Sequence, residues 1–380
     1  MASSKGSTTL PFDVVEDILY RTPIESLIRF KATCKQWYAL FNDKRFIDKH
    51  LNLFPKRFIR IYHDKVEIIN PVTLDLLCLP VPEEFGFGTF NIIISVIYCD
   101  GLLLCQCGNG RSGCNNLAVW NPLLSQIKWI EAPFRPYHHT VVYGFGYDNV
   151  SRDGYKILRF SFRCTEFEIY DFKSKLWRGL PATCNWYTYK RENVSMKGNM
   201  YWVSKTMGNW ESELFIQSFD FSKETFKRIC SFPFEDTVDY AQRISLDLFA
   251  FSGFGGDRLS LLYQEAGDET REIQVWVTNK VTDEVVSWSK YFNVTSPDLP
   301  LFHPHLYNHG KVPTFFIHKT NCIMLWCDTV VQEDYACASF YEIGEGEIKK
   351  QVETGQPYVD RGRSWSWGCV YVPSLVPVPE

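Results

Sequence analysis

Residues 10–51, LPFDVVEDILYRTPIESLIRFKATCKQWYALFNDKRFIDKHL, carry two helix-start signals. Asp13 is placed to cap one helix, with Glu16 reaching back from three residues on. Thr22, Pro23 and Glu25 repeat that pattern for a second helix. Apolar residues then recur at steps of three and four, which places on one helical face Leu27, Phe30, Cys34, Trp37 and Phe41. The stretch predicts a small helical module with an apolar face.

The same stretch resembles a known family. Its order of Leu-Pro, an acidic cap, Ile-Leu, a proline, Leu-Ile-Arg-Phe, Cys-Lys and Trp is similar to the F-box, which docks a subunit on the Skp-type adaptor of a cullin ubiquitin ligase. Thr22 stands where the family usually has leucine before its proline. The resemblance implies adaptor contacts for Leu10, Pro11, Ile18, Leu19, Pro23, Leu27, Phe30, Cys34 and Trp37.

The size of this module and the segment that follows it lead to further expectations. It is near the ~40-residue limit for independent folding, so we expect it to be marginal alone and to gain stability from a partner. The alternative is that residues 27–41 form only a core face of the larger protein. The segment from His50 to Lys56 contains no glycine or serine, which predicts a short, stiff connection between the module and the rest of the chain.

Composition limits the classes of protein. The 380 residues are 45% hydrophobic, enough for a sizeable core, and the net charge of −4 lacks the basic excess typical of nucleic-acid or anionic-membrane binding. The longest apolar run, residues 92–98, is far shorter than the ~20 residues of a membrane helix. Thirteen cysteines, an odd number, and a polar start without an apolar leader favour a reducing compartment, cytoplasmic or nuclear.

From Arg57 onward, short β-branched and aromatic runs repeat, each ending in a polar turn. The spacings between successive turn residues are 51, 50, 49, 59 and 63, in the range of propeller blades. The turn residues are Asn70, Asn121, Asp171, Asp220, Asn279 and Glu342. A second turn, at Gly101, Gly154, Gly198, Gly256 or Asn321, precedes all but the first of them.

These repeats predict a mainly β fold, a helical module followed by a six-bladed β-propeller. The first repeat lacks a leading strand, and Gly368–Val372 at the C-terminal end are expected to fill that place and close the ring. The alternative is a pair of stacked β-sandwiches. The expected divisions are a disordered start (1–9), the F-box (10–51), a linker (52–57), the propeller (58–374) and a tail (375–380).

The repeat region also resembles a family as a whole. Runs such as CDGLLLC, VWNPLLSQIKWIEAP, FEIYDFKSKLWRGL and the terminal YVPSLV are similar to the F-box-associated domain of plant F-box proteins, also described as kelch-like. The resemblance covers nearly the whole chain after Arg57. The kelch diglycine is clear only at Gly255 and Gly256.

Blade topology predicts that all long connections open on one face. Loops normally carry small polar residues, so the aromatic residues in these connections suggest a recognition surface for a target protein. The candidates are Phe87, Tyr137, Trp186, Tyr187, Trp210, Tyr240 and Phe302. The alternative for each is that it folds back over its own blade. Tryptophans in strand patterns, at 120, 129, 177, 202, 276 and 288, are interpreted as packing between blades.

Signals for chemistry are weak. Cys99, Cys105, Cys107 and Cys114 lack the paired C-x-x-C spacing typical of zinc sites. The histidines at 138, 139, 303, 305 and 309 have no carboxylate motif nearby, and no phosphate-binding loop, G-x-S-x-G or H-E-x-x-H appears. We therefore expect no catalytic residues, metal or cofactor.

The sequence and the resemblance together predict a substrate receptor in a cullin ubiquitin ligase. Its partners would be a Skp-type adaptor, cullin through that adaptor, and an unidentified target protein. Two alternatives stay open. One is a propeller enzyme with a regulatory F-box, and the other is a scaffold or decoy that binds the adaptor without ligase function. A carbohydrate-binding receptor is a variant of the main prediction.

Overall fold

The structure is a computed structural model. It describes residues 10–62, 65–85, 91–109, 116–133, 141–151, 154–161, 166–207, 213–234, 238–239, 244–245, 248–265, 270–302, 313–332, 335–344, 346–353, 358–359 and 366–380. No helix within these residues is both long and apolar enough to span a membrane.

Four helices form the helical module: α1 (Phe12–Tyr20), α2 (Ile24–Lys31), α3 (Lys35–Phe41) and α4 (Lys44–Leu53). Both expected caps are wrong. Pro11 and Pro23 occupy the N-cap positions of α1 and α2, without a side-chain cap, because each helix begins at the residue after its proline. Thr22 instead donates its hydroxyl backwards to the Ile18 carbonyl, 2.9 Å away. Side-chain caps occur on α4, at Asp43, and on α3.

The repeat region forms six four-stranded antiparallel blades, so the predicted propeller is confirmed. From the channel outward, blade 1 consists of β27 (Ser366–Tyr371), β1 (Arg57–Tyr62), β2 (Lys65–Ile69) and β3 (Leu76–Pro80). Blade 2 consists of β4 (Asn91–Cys99), β5 (Leu102–Asn109), β6 (Asn116–Asn121) and β7 (Gln126–Glu131). Blade 3 consists of β8 (Val141–Tyr147), β9 (Tyr155–Ser161), β10 (Phe167–Asp171) and β11 (Leu176–Gly179).

Blade 4 consists of β12 (Trp186–Met196), β13 (Asn199–Thr206), β14 (Leu214–Asp220) and β15 (Thr225–Ser231). Blade 5 consists of β18 (Leu248–Phe254), β19 (Arg258–Gln264), β20 (Ile273–Thr278) and β21 (Trp288–Val294). Blade 6 consists of β22 (Thr314–Lys319), β23 (Cys322–Gln332), β24 (Tyr335–Gly344) and β25 (Glu347–Glu353). The short β16 (Val238–Asp239) pairs with β17 (Ile244–Ser245), β26 (Tyr358–Val359) pairs with β24, and a 3₁₀ turn spans Glu83–Phe85.

The C-terminal strand closes the ring, as predicted. β27 pairs antiparallel with β1, in a register that sets Phe58 opposite Val370 and Arg60 opposite Gly368. The first strands of neighbouring blades contact one another around the channel. Closure covers the inner edge of β1, which removes a site for strand pairing with another chain; the inner edge of β27 faces the channel, as do the first strands of the other blades.

The turns between third and fourth strands have a shared local cause. In blades 1 to 5 the Asn or Asp side chain accepts backbone N–H bonds; Asn121, for example, accepts from Leu123 and Leu124, and Asp220 accepts from Ser222 and Lys223. Blade 6 differs. Glu342 lies inside β24 and not in a turn, because that strand continues to Gly344.

Several blade tryptophans join neighbouring blades. Trp177 of blade 3 donates its indole N–H to the Glu131 carbonyl of blade 2, at 2.8 Å. Trp288 of blade 5 donates in the same way to the Ser231 carbonyl of blade 4, at 3.0 Å. For these two residues the structure supports packing between blades.

The helical module contacts one face of the propeller. We call this the tight-turn face, since it carries the turns between first and second and between third and fourth strands; the opposite side is the long-connection face. Only residues 54–56 separate α4 from β1. Residues 372–380, the C-terminal segment, follow β27 on the same side, and Leu375 is buried with Leu19, Ile24 and Phe46 of the module.

Candidate functional site: the helical module and the two faces of the propeller

The outer surface of α1 is apolar and exposed. Val14 and Ile18 lie four residues apart, on the same side of the helix, with 40% and 52% of each residue exposed. Phe12, in the first turn, is 44% exposed. The next residue after Ile18, Leu19, points into the module, because a helix turns by about 100° per residue. Clustered apolar exposure of this kind marks an interaction surface.

The expected adaptor-binding residues divide into three groups. Leu10, Pro11, Ile18, Pro23 and Cys34 are exposed, while Phe30 and Trp37 are half-buried, with their ring centres 5.3 Å apart. Leu19 and Leu27 are buried, at 3% and 0% exposure. In this conformation, therefore, the prediction that Leu19 and Leu27 contact the adaptor directly is wrong. Their side chains build the core behind the exposed surface.

The break between α2 and α3 explains part of this difference. The single helical face expected over residues 27–41 is divided at Thr33 and Cys34, and the Cys34 sulfur accepts the Trp37 N–H at 3.4 Å. Tyr38 is then left 57% exposed, with the Lys31 ammonium 5.3 Å from its ring centre. Phe12, Val14 and Tyr38 were not predicted from the sequence. The spacing of Val14 and Ile18 was the available signal for Val14.

The predicted recognition surface on the long-connection face lies partly outside the described residues. Phe87, Tyr137, Trp210 and Tyr240 lie outside the described residues. Two other candidates, Trp186 and Phe302, are buried, so the prediction of an exposed position is wrong for both. Trp186 begins strand β12 and packs against Phe160 and Phe226, with ring-centre distances of 6.0 and 5.3 Å.

Phe302 is 2% exposed. Its backbone N–H donates to the Gln264 side-chain carbonyl at 2.8 Å, which holds the chain against blade 5. For Trp186 and Phe302, therefore, folding back over the propeller is the observed arrangement. Tyr187 is half-buried in β12 and remains a candidate.

A polar cluster at the long-connection end of blade 4 is more accessible. Glu213 accepts bonds from the Arg228 guanidinium and the Ser231 hydroxyl, at 2.5 and 2.6 Å. These bonds, led by that from Arg228, hold the pKa of the Glu213 carboxyl below its usual value. Glu213 and Arg228 are about half exposed. The cluster offers a fixed pair of opposite charges on this face.

The cysteines considered as zinc ligands are unsuited to metal. Cys99, Cys105 and Cys107 are buried in strands, and burial raises the pKa of each thiol, to about 12 for Cys107. Cys114 and the histidines at 138, 139, 303, 305 and 309 lie outside the described residues. Within the described part of the chain, no group of three or more potential ligands could hold a metal ion.

The central channel contains a cavity of about 400 Å³. Asp48, Asp100 and Asp328 line it together with Lys56, Arg60 and Lys197, so the charges of the described lining balance. Asp100 accepts the Tyr147 hydroxyl at 2.7 Å. None of the described lining residues is a histidine.

The geometry defines a two-part class of protein: a helical module with an exposed apolar helix surface, fixed to one face of a closed six-bladed propeller. Residues 8–49 match the F-box domain, and residues 53–378 match the F-box associated beta propeller domain. The chain therefore belongs to the plant F-box proteins that carry an F-box-associated propeller.

Relatives from Arabidopsis thaliana span the whole chain. One, named "Putative F-box protein", is 56% identical over 98% of this chain and 99% of its own. The F-box/WD-40 repeat-containing protein 1 is 42% identical over 99% of this chain and 91% of its own. A solved oligogalacturonate lyase from Vibrio parahaemolyticus aligns over 77% of this chain and 85% of its own, with 9% identity and a TM-score of 0.40, too weak to indicate function.

Proposed function

We propose that this protein is the substrate-recognition subunit of an SCF-type (Skp–cullin–F-box) E3 ubiquitin ligase. The F-box binds a Skp-type adaptor and, through it, cullin. The long-connection face of the propeller binds a target protein. The proposal rests on one observation above all: the exposed apolar side of α1, with Val14 and Ile18, belongs to a module held on the face opposite the long connections.

The chain's role in this proposal is positioning and not catalysis. Holding a target near a ubiquitin-charged enzyme converts a bimolecular encounter into a nearly intramolecular one. A rigid junction favours this role, because a fixed distance between adaptor and target keeps the target lysine within reach. The three-residue connection and the shared core with Leu375 supply such a junction. We place the protein in the cytoplasm or nucleus, where exposed thiols such as Cys34 stay reduced.

A binding titration with a plant Skp-type adaptor tests the docking surface. Ile18→Asp places a charge on the exposed side of α1 without entering the core, so we expect the variant to fold and to lose at least about tenfold in affinity. Val150→Asp is the matched control, since Val150 is an exposed apolar residue of the propeller. Equal binding by all three chains would contradict docking through α1.

A second measurement separates a ligase subunit from a decoy. The full-length chain is used to purify the adaptor and cullin together from plant extract, beside Ile18→Asp. Recovery of cullin with the wild-type chain only supports the ligase proposal. Recovery of the adaptor without cullin supports the scaffold or decoy alternative instead.

A further inference from the structure

The channel cavity has the size and lining of a small-molecule site. Its volume of about 400 Å³ lies within the ~300–1,000 Å³ typical of ligand pockets. Its wall combines apolar side chains and hydroxyls with the six charged residues named above. The lining includes Val194, Phe251, Phe315 and Trp326, with Ser195, Ser252 and Thr314.

Lys56 supplies a cation to this cavity. Its ammonium donates to the Gly253 carbonyl at 2.8 Å and lies 5.6 Å from the centre of the Phe316 ring. Among the described residues, no carboxylate forms an ion pair with it. Burial lowers the pKa of Lys56 to about 8, because removal from water disfavours the charged form. An ammonium in this position is stabilised by an anion that enters the cavity.

Two of the cavity's carboxylates are engaged elsewhere. Asp100 accepts the Tyr147 hydroxyl on the side of blades 2 and 3. Asp328 follows Trp326 by two residues on β23, and the Arg60 guanidinium lies 5.8 Å from the centre of the Trp326 ring, so Asp328 and Arg60 belong to the same part of the lining. Within the described part of the chain, neither of these two carboxylates forms an ion pair with Lys56.

Lys197 is a second cation of the lining that approaches blade 5. The Lys197 side chain passes 4.0 Å from the position that a Cβ on Gly256 would occupy, and Gly256 belongs to the same blade 5 turn region as Gly253. Helix α4 borders the cavity with Asp48 and Leu51. Lys56 and Lys197 thus stand at the end of the cavity beside the F-box together with two aspartates, Asp48 of α4 and Asp100, which is bonded to Tyr147.

We propose that the channel cavity binds a small amphipathic anion, an organic acid whose acid group pairs with Lys56 and whose apolar body lies against Phe251, Phe315 and Trp326. The site lies between the F-box and the propeller, since Lys56 directly precedes β1 and α4 lines the cavity. A ligand that binds there only in the folded state stabilises the junction, and the stabilisation grows with the logarithm of the ligand concentration once that exceeds Kd. This role is separate from adaptor and target binding.

Two fluorescent probes with similar ring systems test the proposal on the full-length chain. 8-Anilinonaphthalene-1-sulfonate carries an acid group, and N-phenyl-1-naphthylamine does not. We expect saturable binding of the sulfonate, weakened about tenfold or more in Lys56→Met because a charge-assisted contact is lost. Lys65→Met, at an exposed lysine of β2, should leave the sulfonate affinity unchanged. The neutral probe should bind wild type and Lys56→Met equally.

The pH dependence gives a readout that needs no variant. The sulfonate stays anionic throughout, so its affinity should fall as the pH rises above about 8 and Lys56 loses its proton, whereas that of the neutral probe should not. Equal sulfonate binding by wild type and Lys56→Met, a flat pH profile, or no saturable binding of the sulfonate to wild type each overturns the proposal.

Discussion

Arg57 and Glu25 join the F-box to the propeller through a 2.7 Å ion pair. Glu25 lies in the first turn of α2, and Arg57 is the first residue of β1. The side chains are 31% and 12% exposed, and the guanidinium lies 5.2 Å from the ring centre of Phe54. This contact fixes helix α2 of the F-box to the strand that begins the propeller.

Replacing Glu25 should therefore weaken the junction. Glu25→Gln leaves the Arg57 charge partly buried without its carboxylate, so we expect the free energy of unfolding to fall by about 1–3 kcal/mol in urea titrations. The control is Asp17→Asn, which removes an exposed partner of Lys49 at 3.8 Å and should cost less than about 0.5 kcal/mol. Similar losses in both variants would show that Arg57–Glu25 has no special role.

Gly101 is predicted to hold the C-terminal segment in place. It has a φ of +86°, and a Cβ there would lie 2.0 Å from the Cβ of Ser374. Asn121 fixes the same segment by donating to the carbonyls of Ser374 and Val376, at 3.1 and 2.8 Å. Gly101→Ala should displace residues 372–380 and lower stability by about 2–4 kcal/mol, because both the backbone and the contact are strained.

The matched control for this test is Gly179→Ala, since nothing lies within 4 Å of its Cβ position. That change should be nearly neutral. Limited proteolysis should show earlier cleavage of the C-terminal segment in Gly101→Ala only. Unchanged proteolysis and stability in Gly101→Ala would contradict the proposed anchoring.

The repeat pattern allowed prediction of the blades because each blade is a local unit with its own turns. Asn70, Asn121 and Asp171 recur at nearly constant spacing and form equivalent turns. Ring closure was also predictable, since the first repeat lacked a strand. It was harder to predict which aromatic residues lie on strands and which lie in loops. Trp186 was expected in a loop, although Trp186 and Thr188 follow the two-residue alternation of a buried strand face.

The adaptor surface and the channel cavity could not be predicted from local sequence patterns alone. Leu19 and Leu27 belong to the expected adaptor set, yet the sequence alone does not separate side chains that touch a partner from those that support them. Lys56 gave no signal, because its surroundings come from blades 5 and 6 and from α4, which meet only in the folded chain.

His50 should make the F-box sensitive to acid. It is buried in α4, stacked between Phe46 and Phe54 with ring-centre distances of 6.1 and 4.9 Å. Burial lowers the pKa of His50 below its ordinary value of 6.5. The folded state then binds fewer protons than the unfolded state, so the stability is complete above about pH 6.5 and decreases as the pH falls through the lowered pKa.

His50→Phe retains an aromatic ring and removes the titration. Hydrogen exchange of α4 at about pH 7.5 and 5.5, with intrinsic exchange rates corrected for pH, should show a loss of protection of about 1 kcal/mol in wild type at the lower pH. The variant should show a smaller loss. Equal losses in both chains would assign the acid sensitivity to other groups.

Glu224 is expected to couple blades 3 and 4. Its carboxylate binds Lys156 of β9 at 2.8 Å and also pairs with Arg178 of β11. Burial alone would raise the pKa of the Glu224 carboxyl. The hydrogen bonds from Arg178 and Lys156 together outweigh this effect of burial, so the pKa lies below its usual value. Their stabilisation is thus present above the usual glutamate pKa and lost as the pH falls through the lowered one.

Glu224→Gln should reduce the free energy of unfolding by about 1–2 kcal/mol at neutral pH, and the difference from wild type should shrink in acid, where the wild-type carboxyl is protonated. The control is Lys223→Gln. Lys223 is the adjacent residue, and its pair with Asp220 is 4.0 Å long and exposed, so its loss should have little effect. Urea unfolding at two pH values measures both variants. A pH-independent deficit in Glu224→Gln would mean that shape, and not charge, holds the two blades together at this point.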